Sequence, residues 1–226
     1  MIPALIARPL RARTVYNIEA DEDAYFGSVA SFTCDTWANL QGGLNLALNF
    51  SRTETYLECW LRRDDACGAD GHWSALWRSM VVFLTSSLST SFEASSPSQV
   101  RLHALIVPQT TIGSQNIVLV SAAPSSATTL ASGDWANFGM TKWSNAVAVG
   151  DIANGSDTAF TLNAAGLSAL NTQIAAGDPW SVGIVLESDA DDTAPTVAAT
   201  GNLNARQRFA STDHATAAYR PTLRLW

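Results

Sequence analysis

The feature that most constrains this chain is a two-residue alternation confined to short segments. "GLNLALNF" sets Leu44, Leu46, Leu48 and Phe50 against Asn45, Ala47 and Asn49. "ETYLECWLR" places Tyr56, Glu58 and Trp60 opposite Leu57, Cys59 and Leu61, and "VRLHALIVP" opposes Val100, Leu102, Ala104 and Ile106 to Arg101, His103, Leu105 and Val107. "IVLVSAAP", "WSVGIVLES" and the terminal "TLRLW" follow the same rule. A pleated strand sends successive side chains to opposite faces, so each segment reads as a strand with one face in a core. Separated by Ser, Thr, Gly, Asn and Pro, they predict an all-β, antiparallel sandwich. Phe83, Leu102, Ile106, Val118, Ile184, Leu186, Leu223 and Leu225 are expected to share its core.

One segment breaks the period. In "LNAAGLSALNTQIAAGD", Leu167, Leu170 and Ile174 recur at helical spacing behind Asn163, an N-cap residue, and ahead of Gly177 and Pro179. This predicts one short helix crossing between sheets. Gly166 within it is a poor helix former.

Hydrophobic residues make up 47% of the 226 and charged residues 15%, which supplies a core and excludes a disordered chain. The length suits one sandwich domain over residues 16–226, preceded by an arm over residues 1–15. A net charge of −7 argues against nucleic acid as a partner. No apolar run is long enough to cross a membrane as a helix. The N-terminal apolar stretch is short, and Arg8, Arg11 and Arg13 follow it, which is not the layout of a secretory signal. A chain without a leader is expected to be made in a cytoplasm. Those three arginines, beside Ile2, Leu5, Ile6 and Leu10, suit an arm that docks on a partner.

Candidate chemistry is sparse. Cys34, Cys59 and Cys67 are expected as buried free thiols, with a Cys59–Cys67 bridge as the alternative. Cys59, Cys67 and His72, joined by His103 or His214, would make a zinc set of no standard spacing. Asp189, Asp191 and Asp192 in "ESDADDTAP" gather oxygen donors as a calcium loop would, without its Asp-x-Asp-x-Asp-Gly spacing, so a solvated loop is the expected reading. Ser211, Asp213 and His214 in "STDH" are too close along the chain to form a relay with one another. No cofactor is expected. Of the eight tryptophans, Trp73, Trp77, Trp135, Trp143 and Trp180 lie in or beside predicted loops. There a flat ring can stack on a sugar, or else fill the core or an interface.

Four pieces then occur in a characteristic order: "EDAYFGS", "RSMVVFLTSSL" followed by "SSPSQVRLHALIVP", the helix with "WSVGIVLES", and "RFASTDHATAAYRPTLRLW". This order resembles the DNRLRE-type β-sandwich, a jelly-roll family similar to carbohydrate-binding modules. The matching positions are Asp23, Tyr25, Arg78, Phe83, Val100, Ala104, Ile106, Phe209, Ser211, Arg220 and Pro221. Leu84 stands where the family pattern has Asp, and Leu57–Trp77 is longer than the pattern. The resemblance implies an antiparallel jelly roll whose last strand, from Pro221, closes a sheet, and a carbohydrate-binding surface. Together with the leaderless arm it leads to the expectation of a non-enzymatic virion protein of a bacteriophage: capsid decoration, head fibre or tail-tip adhesin. Other virion proteins, a host-surface glycan and further copies of the chain would be its partners. The alternative is an extracellular stand-alone carbohydrate-binding module, and a small polysaccharide lyase is a third reading with no evident acid–base pair.

Overall fold

The alternating segments become strands of an antiparallel sheet that curls into a sandwich. The computed structural model describes residues 14–29, 34–43, 47–63, 67, 72–106, 115–195 and 203–226. Arg8, Arg11 and Arg13 lie outside the described residues. The first half contains β1 (Tyr16–Val29), β2 (Asp35–Thr36), α1 (Trp37–Gly42), β3 (Ala47–Ser51), β4 (Tyr56–Arg63), β5 (His72–Trp73), β6 (Ala75–Phe83) and β7 (Gln99–His103). After these come β8 (Asn116–Ala122), β9 (Phe138–Lys142), β10 (Val147–Ala148), β11 (Asp157–Thr161), α2 (Ala164–Ala176) and β12 (Trp180–Leu186). The last elements are α3 (Glu187–Ala190), β13 (Leu203–Ala210) and β14 (Thr222–Leu225).

The long strand β1 serves two sheets. Tyr16 to Glu19 pair with β14, whereas Ala20 to Val29 pair with β6, and an irregularity between Ala20 and Glu22 marks the change. An extra residue in a ladder bends a strand and raises its twist, which lets one strand leave one sheet for another. The first sheet runs β1–β14–β7–β11 and the second β3–β1–β6–β12–β8, with β9 and β10 on β8. At its N-terminal end β6 instead pairs with β4, Trp60 opposite Trp77, and β4 carries β13. A bridge between Ala104 and Phe209 ties β13 back to the end of β7.

Every residue of β12 is buried, and all of β6 except Trp77. The second sheet is therefore covered on both faces, which one-sided alternation did not anticipate. Ile184 pairs with Leu119 and Val185 with Val118, so Val118 and Ile184 point to opposite faces of the sheet. Both still belong to one continuous core cluster with Phe83, Leu102, Leu186, Leu223 and Leu225. Ile106 is a correction: it is 81% exposed, because β7 ends at His103 and Ile106 lies beyond the bridge at Ala104.

The terminal segment closes a sheet from its middle, since β14 lies between β1 and β7. Leu223 and Leu225 are fully buried, and the Trp226 carbonyl accepts hydrogen bonds from the Ser95 amide (2.9 Å) and hydroxyl (3.0 Å). The crossing helix is α2. Its Asn163 side chain accepts from the Gly166 amide at 3.0 Å, and Gly177 ends it at φ 73°, a left-handed conformation that favours glycine. The short helix α1, capped by Thr36, was not anticipated.

The cysteines differ from both expectations. Cys34 and Cys67 form a disulfide with Cα atoms 5.0 Å apart, and Cys59 is the free thiol. Alternation along β4 turns Cys59 to the buried face with Leu57 and Leu61. Burial raises its thiol pKa well above the ordinary value.

Candidate functional site

Two faces of β6 supply the site and its foundation. Cross-strand partners in an antiparallel ladder share a face, so Tyr25, Gly27, Trp77 and Ser79 lie on one side, with Tyr56, Glu58 and Trp60 from β4. Register then places Arg206 opposite Trp60 and Arg208 opposite Glu58 on β13. The rings tile this face: Tyr56 on Tyr25 at 5.7 Å between centroids, Tyr25 beside Trp77 at 5.0 Å, and Trp77 beside Trp60 at 5.6 Å. Small residues underneath make room. A Cβ added at Gly27 would stand 2.6 Å from the Trp77 ring, so that ring lies against the bare backbone of β1.

Guanidinium groups complete the surface. Arg208 sits 3.9 Å from the Tyr56 ring centre, Arg206 4.9 Å from that of Trp60, and Arg62 5.9 Å from the same ring. The Glu58 carboxylate, itself only 2% exposed, accepts from Arg206 and, at 2.9 Å, from Arg208. Trp60 donates its indole N–H to Asn204, whereas the Trp77 indole N–H is buried and has no partner among the described residues. Burial, then the charge of neighbouring Tyr56 and Glu54, pushes the Tyr25 hydroxyl up to about 12, so it stays a neutral donor. Trp60, Trp77, Tyr56, Arg206 and Arg208 are all half-buried. The face is thus a set of aromatic rings with Arg62, Arg206, Arg208 and Glu58 beside them.

At the Tyr25 end the strip borders an acidic cleft of about 550 Å³, lined by Asp21, Glu22, Asp23, Arg52 and Asp213 among others. Arg52 pairs with Glu22 at 2.5 Å, and Asp23 accepts from the Thr212 amide at 2.6 Å. Burial, helped by the charges of Asp213 and Glu22, raises the Asp23 carboxyl to about 7.

Of the five tryptophans singled out in the sequence, only Trp77 belongs to this strip. Trp73, Trp135 and Trp180 are at most 4% exposed and fill the core, so the expectation of loop platforms is corrected for them. Trp143 is half-buried and stacks on Trp180 at 5.6 Å, outside the strip. The strip's other members were legible only as the alternation Tyr56, Glu58, Trp60. What joins them to Tyr25, Arg206 and Arg208 is long-range register.

The candidate ion loop does not gather either. Asp189 is buried and bound by Arg78 through two bonds, Nε to Oδ2 at 2.7 Å and Nη2 to Oδ1 at 2.8 Å, while Asp191 pairs with Lys142 at 2.7 Å and Asp192 is exposed. Among the described residues no group of three His, Cys, Asp or Glu could hold a metal. The zinc set is broken further by the disulfide at Cys67, and His103 is engaged by Asp157 at 2.9 Å under the Tyr219 ring. In "STDH" the Ser211 hydroxyl donates to the Glu54 carbonyl and His214 Nδ1 accepts from the Thr216 amide, which is turn chemistry. No protein-family model matches the chain, and no curated protein matches it.

Proposed function

We propose that this chain is a non-enzymatic adhesive module that holds a glycan on the strip formed by Tyr25, Tyr56, Trp60 and Trp77. The observation that carries the reading is the Trp77 ring laid flat over Gly27 between two further aromatic side chains, on a surface that is only half covered. Sugars present apolar faces edged with hydroxyls. The aromatic rings meet the faces, and Arg206 and Arg208 meet the rim. Ordered strands on both sides hold the rings in place, so little conformational freedom is lost on binding.

The setting we propose is a virus particle, with the apolar, arginine-bearing residues 1–15 docking to other particle proteins. An isolated extracellular carbohydrate-binding module uses the same strip in the same way. A second reading has a specific observation in its favour: Trp, Tyr and Arg are also the residues enriched at the centres of protein interfaces, so the strip would seat another copy of the chain.

A glycan array with the wild-type chain and with Trp60→Ala and Trp77→Ala separates these. The adhesive reading predicts retention of at least one glycan class and a loss of at least tenfold in affinity, about 1.4 kcal/mol, in both variants. Retention of no glycan, with a sedimentation coefficient that falls to the monomer value in both variants, would make the strip a subunit interface instead.

A further inference from the structure

We propose that the cleft between α2, the end of β8 and the start of β12 binds one small, uncharged, planar aromatic molecule that carries a hydrogen-bond acceptor. This site is separate from the strip and independent of the glycan reading. It encloses about 440 Å³, within the size range of small-ligand pockets. The space exists because Ala122, Ala123, Ala127 and Ala169 stand where larger side chains would fill it. Its wall is the rim of a ring stack, Phe83 on Trp180 at 6.0 Å and Trp180 on Trp143 at 5.6 Å, with interplanar angles of 27° and 17°. Both faces of Trp180 are covered in that stack, and Trp143, half-buried, offers the next place in it. A planar ring is the shape that continues such a pile.

The polar groups define the rest of the ligand. Trp180 contributes ring surface to the cleft, while its indole nitrogen is closed off from it. The Gln173 amide and the Ser181 hydroxyl also line the cleft and make no side-chain hydrogen bond among the described residues. No charged side chain lines it, so an ionised ligand would lose its hydration without compensation. The walls are fixed beforehand: the Asn163 amide donates to the Trp143 carbonyl at 2.9 Å, and the Asn163 side chain to that of Lys142 at 3.0 Å.

Benzamide is the probe, with benzoate and glucose as comparisons, followed by saturation-transfer NMR and tryptophan fluorescence on the full chain. Benzamide should bind with a Kd on the order of 0.1–1 mM, as its size allows, and benzoate at least tenfold more weakly. Ala169→Leu and Gln173→Trp, which fill the cleft from α2, should each weaken benzamide at least tenfold, while Trp60→Ala on the strip leaves it unchanged. Should Ala169→Leu fail to fold, Gln173→Trp at its half-buried position decides alone. The proposal is overturned if benzamide does not bind, if benzoate binds equally well, if glucose competes for the site, or if the filled variants bind as the wild type does.

Discussion

Strand β6 carries an arginine–carboxylate assembly on each side, and the two are built to opposite ends. On one face Arg78 is gripped by Asp189, lies 4.1 Å from the Trp135 ring centre, and is closed over by Gln41, which donates to the same carboxylate at 3.0 Å. Side-chain exposures of 4% and 0% leave that pair no access to water. On the other face Glu58 answers two arginines, both more than 20% exposed, and the rings beside them are half-open. The residue types are the same, yet one set is closed on itself and the other stays partly open to solvent. The closed cage anchors α3 to the sheet, whereas the partly open one forms the surface proposed to hold a ligand.

The largest effect should come from breaking the closed side. Asp189→Ala leaves the Arg78 guanidinium buried without its counter-ion, and such loss costs about 3–5 kcal/mol. Denaturant unfolding monitored by circular dichroism should register most of that. A change below about 1 kcal/mol would mean that water reaches Arg78 and that the two faces differ less than described.

Asp23 sharpens the contrast, because it is a carboxylate on the open face with no cation of its own, Arg52 being taken by Glu22. Its folded pKa of about 7 lies above the usual 3.8. As pH rises the unfolded chain ionises first, so native stability from this group is fully present below about pH 4 and declines until about pH 7, by on the order of 4 kcal/mol. Asn at this position keeps an oxygen for the Thr212 amide and carries no charge. Asp23→Asn should therefore be more stable than the wild type by about 2–4 kcal/mol at pH 8 and nearly equal to it at pH 4. Equal stabilities at both pH values would remove the buried-acid description.

The smallest effect on stability belongs to the open side. Arg206→Ala leaves Arg208 on Glu58 and exposes more of Trp60, and partly exposed pairs of this kind are worth under about 1 kcal/mol. Its thermal midpoint should move by only a few degrees, and a drop of the size expected for Asp189→Ala would make the strip a structural cage as well.

How much of this was readable beforehand follows from the range of the interactions. Alternation located β4, β7, β8, β12 and β14, and the Asn163 cap with Gly177 located α2, because those signals are local. The double coverage of β6 and β12 was hidden, since alternation assigns a strand one covered face and a strand in a packed interior has two. The Cys34–Cys67 pairing joins residues 33 apart in sequence, and the Arg78–Asp189 cage residues 111 apart, and spacing alone specifies neither. The same holds for the strip. Tyr25, Trp77, Trp60 and Arg206 become neighbours only once β1, β6, β4 and β13 are in register, so loop position misdirected attention to Trp73, Trp135 and Trp180, whose rings are core.

The central claim is that the half-buried strip around Trp77 binds and the Arg78–Asp189 cage does not. With 15N-labelled tryptophan and signals assigned through single Trp→Phe variants, the eight indole N–H resonances can be followed while a glycan retained on the array is titrated in. The account predicts that Trp60 and Trp77 shift with one common saturation curve while Trp37, Trp73 and Trp135 stay in place. Shifts confined to any other tryptophans, with Trp60 and Trp77 unmoved at saturation, would contradict it.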